Sequence, residues 1–223
     1  MGRGFPTPFT LAPALAMVLL ASPLYAQDQD TQLWVYAVAR TDLAEETGLT
    51  VDFTARWREE RRGDEQQTAR FTVLHEVADG VRVGGGAGVF ETPSANGGGR
   101  TELRPHQEID LKFGRFSARS RLEQRFFDGA DRMEVRVRQL VRYTLPLGTA
   151  ARLAVDGEYL GLVQTRERIG NRPRDQWRAR AIASFDVSDR LAIGAGYMAV
   201  LTPRTGAADR LNHVPEAYLT WKF

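Results

Sequence analysis

The feature that most constrains this chain is an alternation of apolar and charged side chains that recurs along most of its length. The segment Glu102–Phe127, ELRPHQEIDLKFGRFSARSRLEQRFF, shows it most clearly: the two classes alternate up to Phe113, and the parity of the charges switches after Gly114-Arg115. A period of two is the pattern of a β-strand whose faces differ chemically. The segment therefore predicts two strands joined by a tight turn at Gly114-Arg115.

Similar runs fill the chain after its N-terminal segment, and no stretch of comparable length has helical spacing. The eleven runs cover residues 32–39, 49–58, 67–77, 81–91, 103–113, 115–127, 132–145, 152–159, 174–187, 191–201 and 216–223. Short turns are predicted at Asp79-Gly80, Gly114-Arg115, Pro146-Leu147-Gly148 and Ser188-Asp189-Arg190, and, except at residues 128–131, the links between them are longer and more polar. Outer-membrane barrels have this asymmetry of turns and loops.

An odd number of runs conflicts with the even strand numbers of single-chain bacterial barrels. Three explanations are open: the run at residues 32–39 lies outside the wall, a twelfth strand is hidden, or the N-terminal segment passes through the lumen. We therefore predict an all-β, antiparallel up-and-down transmembrane β-barrel of about 10–12 strands.

Alternation alone does not say which face is the interior, because a soluble barrel would bury the apolar side chains instead. A two-residue turn at Gly114-Arg115 pairs Asp110 with Arg119, Glu108 with Arg121, and His106 with Glu123 across the hairpin. A three-residue turn centred on Leu147 pairs Arg138 with Asp156 and Arg136 with Glu158. Opposite charges on facing strands stabilise a sheet, so we predict a lumenal charge network that consists of Arg104, His106, Glu108, Asp110, Arg119, Arg121, Glu123, Arg125, Glu134, Arg136, Arg138, Asp156 and Glu158.

The two ends of the chain favour export and membrane insertion. Residues 1–26 contain Arg3, an apolar run and Leu24-Tyr25-Ala26 before a polar start, which predicts a cleaved signal peptide; an N-terminal membrane anchor is the alternative. Residues 27–223 then form one outer-membrane domain of a Gram-negative cell. Alternate residues at the C-terminus resemble the strand signature that the barrel-assembly machinery recognises: Leu219, Trp221 and Phe223. Aromatic residues near the strand ends, such as Trp57, Phe113, Phe127 and Trp177, predict girdles at the membrane interfaces.

Composition excludes several classes of function. The chain has no cysteine, so it forms no disulfide and has no thiol chemistry. A formal charge of +2 is nearly balanced and does not indicate a nucleic-acid partner. All basic residues except Lys112 and Lys222 are arginine, which suits buried ion pairs, although codon bias would give the same composition.

Several segments resemble the domain-of-unknown-function 2490 family of predicted bacterial outer-membrane barrels. The resemblance lies in Arg121-Leu122-Glu123-Gln124-Arg125-Phe126, in Arg136-x-Arg138, in Arg104-Pro105-His106-Gln107 and in Leu33-Trp34. It extends over the whole mature chain. The resemblance implies a β-barrel at the outer membrane, and it assigns no activity to any residue.

Candidate catalytic and metal-binding groups are few. His106 with Ser117 or Ser120 would suit a lipid-modifying hydrolase, but the predicted register places His106 opposite Glu123, and Ser120 faces the other side. The three histidines, His75, His106 and His213, lack ligand spacing, so we predict neither a metal nor another cofactor.

Glycine and alanine replace charge on two of the predicted strands, the fourth at residues 81–91 and the tenth at 191–201. Small inward residues such as Gly84 and Gly86 either leave room for arginines that cross the lumen or line a cavity with a cationic wall that binds or passes small anionic solutes. We therefore predict a non-enzymatic, porin-like barrel in the lipid bilayer, either a narrow pore or a largely plugged structural barrel. The alternatives are a hydrolase that uses His106 and a soluble periplasmic binder; the solute, the open or plugged state and the oligomeric state are left open.

Overall fold

Almost all residues that the structure describes lie in β-strands. A computed structural model describes residues 28–58, 65–94, 98–167 and 176–223, and the predicted signal peptide at residues 1–26 lies outside them. The strands are β1 (Asp28–Thr31), β2 (Leu33–Ala44), β3 (Thr47–Trp57), β4 (Glu65–Ala78), β5 (Val81–Thr92), β6 (Arg100–Phe113), β7 (Phe116–Phe127), β8 (Glu134–Leu147), β9 (Ala151–Gln164), β10 (Gln176–Asp186), β11 (Leu191–Thr202) and β12 (Arg210–Lys222). Within the described ranges, no helix has the length and apolar character needed to cross a membrane.

The strands form one closed barrel. Each strand from β2 to β12 pairs with the next in antiparallel orientation, and β12 also pairs with β2, which closes the sheet. The closing pair is parallel, with Trp34 opposite Glu216. Strand β1 continues along the same edge of β12 in the same register, with Asp28 opposite Arg210, so β1 and β2 together act as one strand of an eleven-stranded wall. The predicted all-β, up-and-down barrel is confirmed, with this one parallel pair as the exception.

The parallel closure explains the odd number of strands. Residues 32–39, whose place in the wall was uncertain, form most of β2, and the short β1 extends that strand rather than adding a twelfth. An even number is needed only when the first and last strands pair antiparallel, because consecutive strands reverse direction. Any passage of the N-terminal segment through the lumen falls on residues 1–27, outside the described residues.

The two predicted hairpin registers have opposite outcomes. Between β6 and β7 the register is confirmed: Asp110 lies opposite Arg119, Glu108 opposite Arg121, and His106 opposite Glu123. Between β8 and β9 it is wrong, because Arg142 lies opposite Asp156 and Leu140 opposite Glu158.

The cause of the error is the position of one glycine. Gly148 adopts φ of 80°, a conformation that glycine adopts without steric cost, so the turn begins at Gly148 instead of ending there. As a result Pro146 and Leu147 belong to β8 rather than to the turn.

The barrel is polar inside and apolar outside. We call the end with the short connections, such as residues 114–115, the turn end, and the opposite end the loop end. The Glu123 side chain is 1% exposed inside the barrel, whereas the outward residue Val141 is 59% exposed. Outward aromatics lie near both ends, for example Trp177 at the loop end and Trp221 at the turn end.

Phe127 does not belong to the aromatic girdle. It shares the inward parity of Glu123 and Arg125, and the Arg125 guanidinium lies 4.8 Å from its ring centroid. Its predicted membrane-facing position is therefore wrong, and the alternation of side chains along β7 explains why.

Gly86 on β5 allows β4 and β5 to approach each other closely. It also lets a hydrogen bond pass over β5 from β4 to β6. It pairs with Thr72 on β4 and with His106 on β6, and the Thr72 hydroxyl and His106 Nε2 meet at 3.1 Å over it. A β-carbon at Gly86 would lie 1.9 Å from the carbonyl oxygen of Phe71. Any side chain at this position would therefore push β4 and β5 apart.

We expect Gly86→Ala to lower the free energy of unfolding by about 1–3 kcal/mol, the usual effect of overpacking. The matched control is Gly157→Ala, since a β-carbon there approaches only the Arg178 carbonyl oxygen, at 4.0 Å. Urea unfolding of both variants, refolded in detergent, measures the difference. Equal stability of the two variants would contradict the close packing of β4 and β5.

The ion-pair network inside the barrel

Two buried carboxylates organise the interior of the barrel. Glu123 on β7 accepts hydrogen bonds from Arg136 Nε at 2.8 Å and from Arg138 Nη1 at 2.9 Å. Glu158 on β9 accepts from Arg138 Nη2 at 2.6 Å and from Arg119 Nη2 at 3.0 Å. Arg138 therefore joins the two carboxylates, and its forked guanidinium suits this bridging role.

Further ion pairs extend the network around the wall. Glu102 accepts hydrogen bonds from Arg104 at 2.7 Å and from Arg125 at 2.6 Å, and Arg125 also pairs with Glu134. The Glu108 and Arg121 side chains are both 3% exposed and form an ion pair at 2.5 Å. Because each of these buried carboxylates faces at least one guanidinium, burial leaves none of them as an isolated charge.

Several inward guanidiniums lie on aromatic faces. The Arg56 guanidinium lies 4.0 Å from the centroid of the Trp34 ring, and the Arg104 guanidinium lies 3.5 Å from the centroid of Phe90. Arg178 approaches Trp34 from another strand, at 5.7 Å. These cation–π contacts lie toward the loop end and supply favourable electrostatics for buried cations beyond what the carboxylates provide.

A small apolar cluster fills the lumen next to these contacts. Trp34, Met198, Val200 and Val214 are buried together, and Tyr36 packs against them. They come from β2, β11 and β12, the side of the barrel that carries little charge. On this side of the barrel the loop half of the lumen is therefore filled by rings and aliphatic side chains, whereas on the side of β6 to β8 it contains the ion pairs of Glu102 and Arg125.

Polar contacts also hold the parallel closure. Tyr36 on β2 and Tyr218 on β12 face each other in register and stack with centroids 4.6 Å apart. The hydroxyls of both tyrosines donate to Glu216, at 3.0 and 2.7 Å. One carboxylate therefore links the first and last strands of the wall.

The structure places the predicted charged residues on the inward face, but not all of them with their expected partners. Arg119 donates to Glu158 rather than to Asp110, which lies 3.5 Å from Arg82. Asp156 pairs with Arg142 and Arg180 rather than with Arg138. The partners differ because long arginine side chains reach along and across several strands, whereas the prediction paired only directly opposed residues.

His106 is not assembled into a hydrolase site. Its ring is buried, and its side-chain hydrogen bond goes to Thr72 at 3.1 Å. Ser120 lies on the outer surface, where its hydroxyl donates to Gln139 at 2.6 Å. No group of three or more His, Asp or Glu side chains among the described residues is arranged to hold a metal ion.

Exposure of the inward side chains increases toward the turn end. Arg82, Arg142 and Arg152 lie in that half and are 48%, 32% and 37% exposed. Arg40 lies in that half as well and is exposed. The inward side chains of the middle and loop half are therefore packed more tightly than those at the turn end, where the more exposed Arg82, Arg142 and Arg152 pair with Asp110, Asp156 and Asp186.

The predicted assembly signal lies on the outer surface at the turn end. Leu219, Trp221 and Phe223 are all exposed, and the backbone N–H of Phe223 donates to the Arg40 carbonyl oxygen at 3.0 Å. The side chains are thus accessible on the strand that closes the barrel. Their recognition by assembly machinery stays a prediction.

The sequence interpretation missed the inward aromatic residues. Trp34, Phe90 and Tyr218 contact the charged network, yet only the charged side chains were assigned a role there. The available signal was parity: Phe90 alternates with Arg82 through Gly84, Gly86 and Gly88, and Tyr218 alternates with Glu216.

Comparisons with known proteins give a family and a similar fold. A family model described as "Protein of unknown function (DUF2490)" matches residues 31–212, and no curated protein matches the sequence. Among solved structures, the chain is similar to "OmpTdeltaL8 (loop L8 deletion mutant of OmpT), an outer membrane protein of Vibrio cholerae", at 11% identity and a TM-score of 0.43. The match covers 73% of this chain and 59% of that one, so this chain spans about three fifths of the length of that structure.

We expect Glu123→Gln to lower the free energy of unfolding by about 3–5 kcal/mol, because Arg136 and Arg138 would lose a buried charged partner. The control is Glu167→Gln, which removes an exposed carboxylate 3.7 Å from Arg166 and should change stability by at most about 1 kcal/mol. Unfolding curves of the detergent-refolded variants test this. A Glu123→Gln variant as stable as the control would show that the pairing contributes little.

Proposed function

We propose that this chain, which belongs to the DUF2490 family of proteins of unknown function, is an outer-membrane β-barrel that its own side chains close to solutes. The proposal includes export through a signal peptide at residues 1–26 and insertion by the barrel-assembly machinery. It makes the protein a structural membrane component with a salt-bridged interior rather than an open pore or an enzyme.

The outer surface supports a membrane location. Large apolar side chains on the outer wall are about half exposed around the whole circumference, among them Phe53, Phe71, Ile109, Trp177 and Leu219. A soluble barrel would bury such side chains and leave the charged ones in water. A closed barrel also satisfies its backbone hydrogen bonds internally, which hydrocarbon requires.

The observation that most directly supports a lumen closed to solutes is the packing of the central ion pairs. Glu123, Arg121 and Glu158 are at most 4% exposed, although their side chains project into the lumen of a closed barrel. A water-filled channel would leave such side chains solvated. The small diameter of a barrel with this number of strands further limits passage.

A second proposal concerns the turn end of the lumen, which faces the periplasm if the short turns are periplasmic. We call this end of the lumen the vestibule. It is lined by the guanidiniums of Arg40, Arg82, Arg142 and Arg152. Arg82, Arg142 and Arg152 each pair with an aspartate, whereas Arg40 forms no ion pair with another described residue, so its guanidinium is the cation that a bound anion would meet. Small anionic solutes would thus bind at the periplasmic mouth without crossing the barrel.

We expect the wild-type protein to show no channel steps in a planar bilayer after insertion. The double variant Arg138→Ser, Glu158→Ser removes two large side chains without changing the net charge, and it should introduce conductance. Heat-modifiable migration on gels serves as the control for folding. Steady channel openings of the wild type would overturn the closed barrel, and a folded but silent double variant would mean that these ion pairs are not what closes it.

Inorganic phosphate should raise the unfolding temperature of the detergent-refolded wild type at constant ionic strength, because a ligand stabilises the state to which it binds. The double variant Arg40→Gln, Arg82→Gln should lose this shift. The matched control is Arg166→Gln, which alters a half-buried arginine outside the vestibule and should keep the shift. A phosphate response that is equal in all three proteins would contradict binding at the vestibule.

A further inference from the structure

The outward face of three neighbouring strands carries amides and a hydroxyl where the rest of the wall is apolar. We call Gln107 on β6, Ser120 and Gln124 on β7, and Gln139 on β8 the amide patch. Each alternates with inward charged or buried residues, and Gln107, Ser120 and Gln139 are exposed on the outer surface. In the central part of the other described strands the outward side chains are apolar or aromatic.

The amide patch lies in the middle of the apolar belt and not at its edge. Ser120 is directly opposite Gln139 on one side and Ile109 on the other. Ile109, Leu122 and Val141 surround it and are exposed. In the proposed membrane location these amides therefore face hydrocarbon, where an unsatisfied polar group costs several kcal/mol.

Hydrogen bonds within the patch satisfy only part of this polar surface. Gln124 Nε2 donates to Gln107 Oε1 at 2.9 Å, and Gln107 Nε2 donates back to Gln124 Oε1 at 3.5 Å. Ser120 Oγ donates to Gln139 Oε1 at 2.6 Å. In the part of the chain that the structure describes, Gln139 Nε2 donates to no acceptor. Since a primary amide has two N–H donors and an acceptor oxygen, the patch retains hydrogen-bonding capacity directed away from the barrel.

We propose that the amide patch is the surface through which two copies of this chain associate side by side in the membrane. This rests on the proposed membrane location. The patch is uncharged, and each glutamine both donates and accepts, so it is complementary to itself. A two-fold axis along the membrane normal keeps both copies correctly oriented and brings residues of the same membrane depth together. Gln139 of one copy then meets the patch of the other, and the small side chains of Ser120 and Ala118 allow close approach.

The absence of cysteine makes the interface testable by single substitutions. A disulfide requires Cα atoms within about 7 Å, so only a residue close to the two-fold axis cross-links to its own copy. We expect Ser120→Cys in outer-membrane preparations to give, on oxidation, a band at twice the monomer mass. Ala181→Cys, an outward position in the middle of β10, is the matched control and should remain monomeric.

A triple variant that carries the same Ser120→Cys substitution distinguishes cross-links that depend on amide contacts from cross-links that form by random collision in the membrane. Replacing Gln107, Gln124 and Gln139 by leucine removes the hydrogen bonds but suits a lipid-facing surface, so the barrel should stay heat-modifiable while the Ser120→Cys cross-link is lost. Persistence of the cross-link in this background would overturn the role of the amides.

The remaining outcomes distinguish this proposal from the proposed function. Membrane-embedded Ser120→Cys protein without a dimer band, or with an adduct to a different protein, would overturn association between two copies and leave the membrane barrel intact. Recovery of the chain in the soluble fraction would overturn both proposals.

Discussion

Pairing between buried carboxylates and guanidiniums is the interaction on which the rest of this structure depends. The outer wall is apolar, and in a membrane it gains nothing from contact with other apolar surface, because lipid is as apolar as the wall. Cohesion must then come from backbone hydrogen bonds and from the interior. Glu123 and Glu158, bridged by Arg138, connect three consecutive strands, and the other inward charges are arranged around them.

The interior is divided along the barrel axis into regions with different chemistry. Cation–π contacts and apolar side chains lie in the loop half, carboxylate–guanidinium pairs extend from the loop half through the middle, and more exposed arginines lie at the turn end. Arginine suits all three environments, since its planar cation stacks on rings, forms forked pairs with carboxylates and stays charged in water. The preference for arginine over lysine in this sequence thus has a structural use at each level.

Period-two alternation was enough to predict the strands of the barrel, and the two-residue turn at Gly114-Arg115 was enough to predict the register of β6 and β7, because both depend only on local geometry. The choice of the inward face needed a further argument, namely the opposite charges that this register places on facing strands. The register of β8 and β9 was not predictable from the Pro146-Leu147-Gly148 motif alone, since the turn depends on which residue adopts a positive φ. The reach of Arg119 to Glu158 and of His106 to Thr72 depends on barrel curvature and on the space above Gly86. The parallel pairing of β2 with β12 joins segments that carry no mutual signal in a single sequence.

That parallel pairing also determines when the barrel can become complete. Tyr36 and Glu216 are 180 positions apart, so the contact that closes the wall joins nearly opposite ends of the described chain. Loop closure over such a separation is entropically unfavourable until the intervening hairpins have formed. Until β12 arrives, β2 has a free edge, and such an edge is a template for pairing with other chains. The free edge of β2 must therefore be kept from pairing with other chains until β12 has formed and can pair with it.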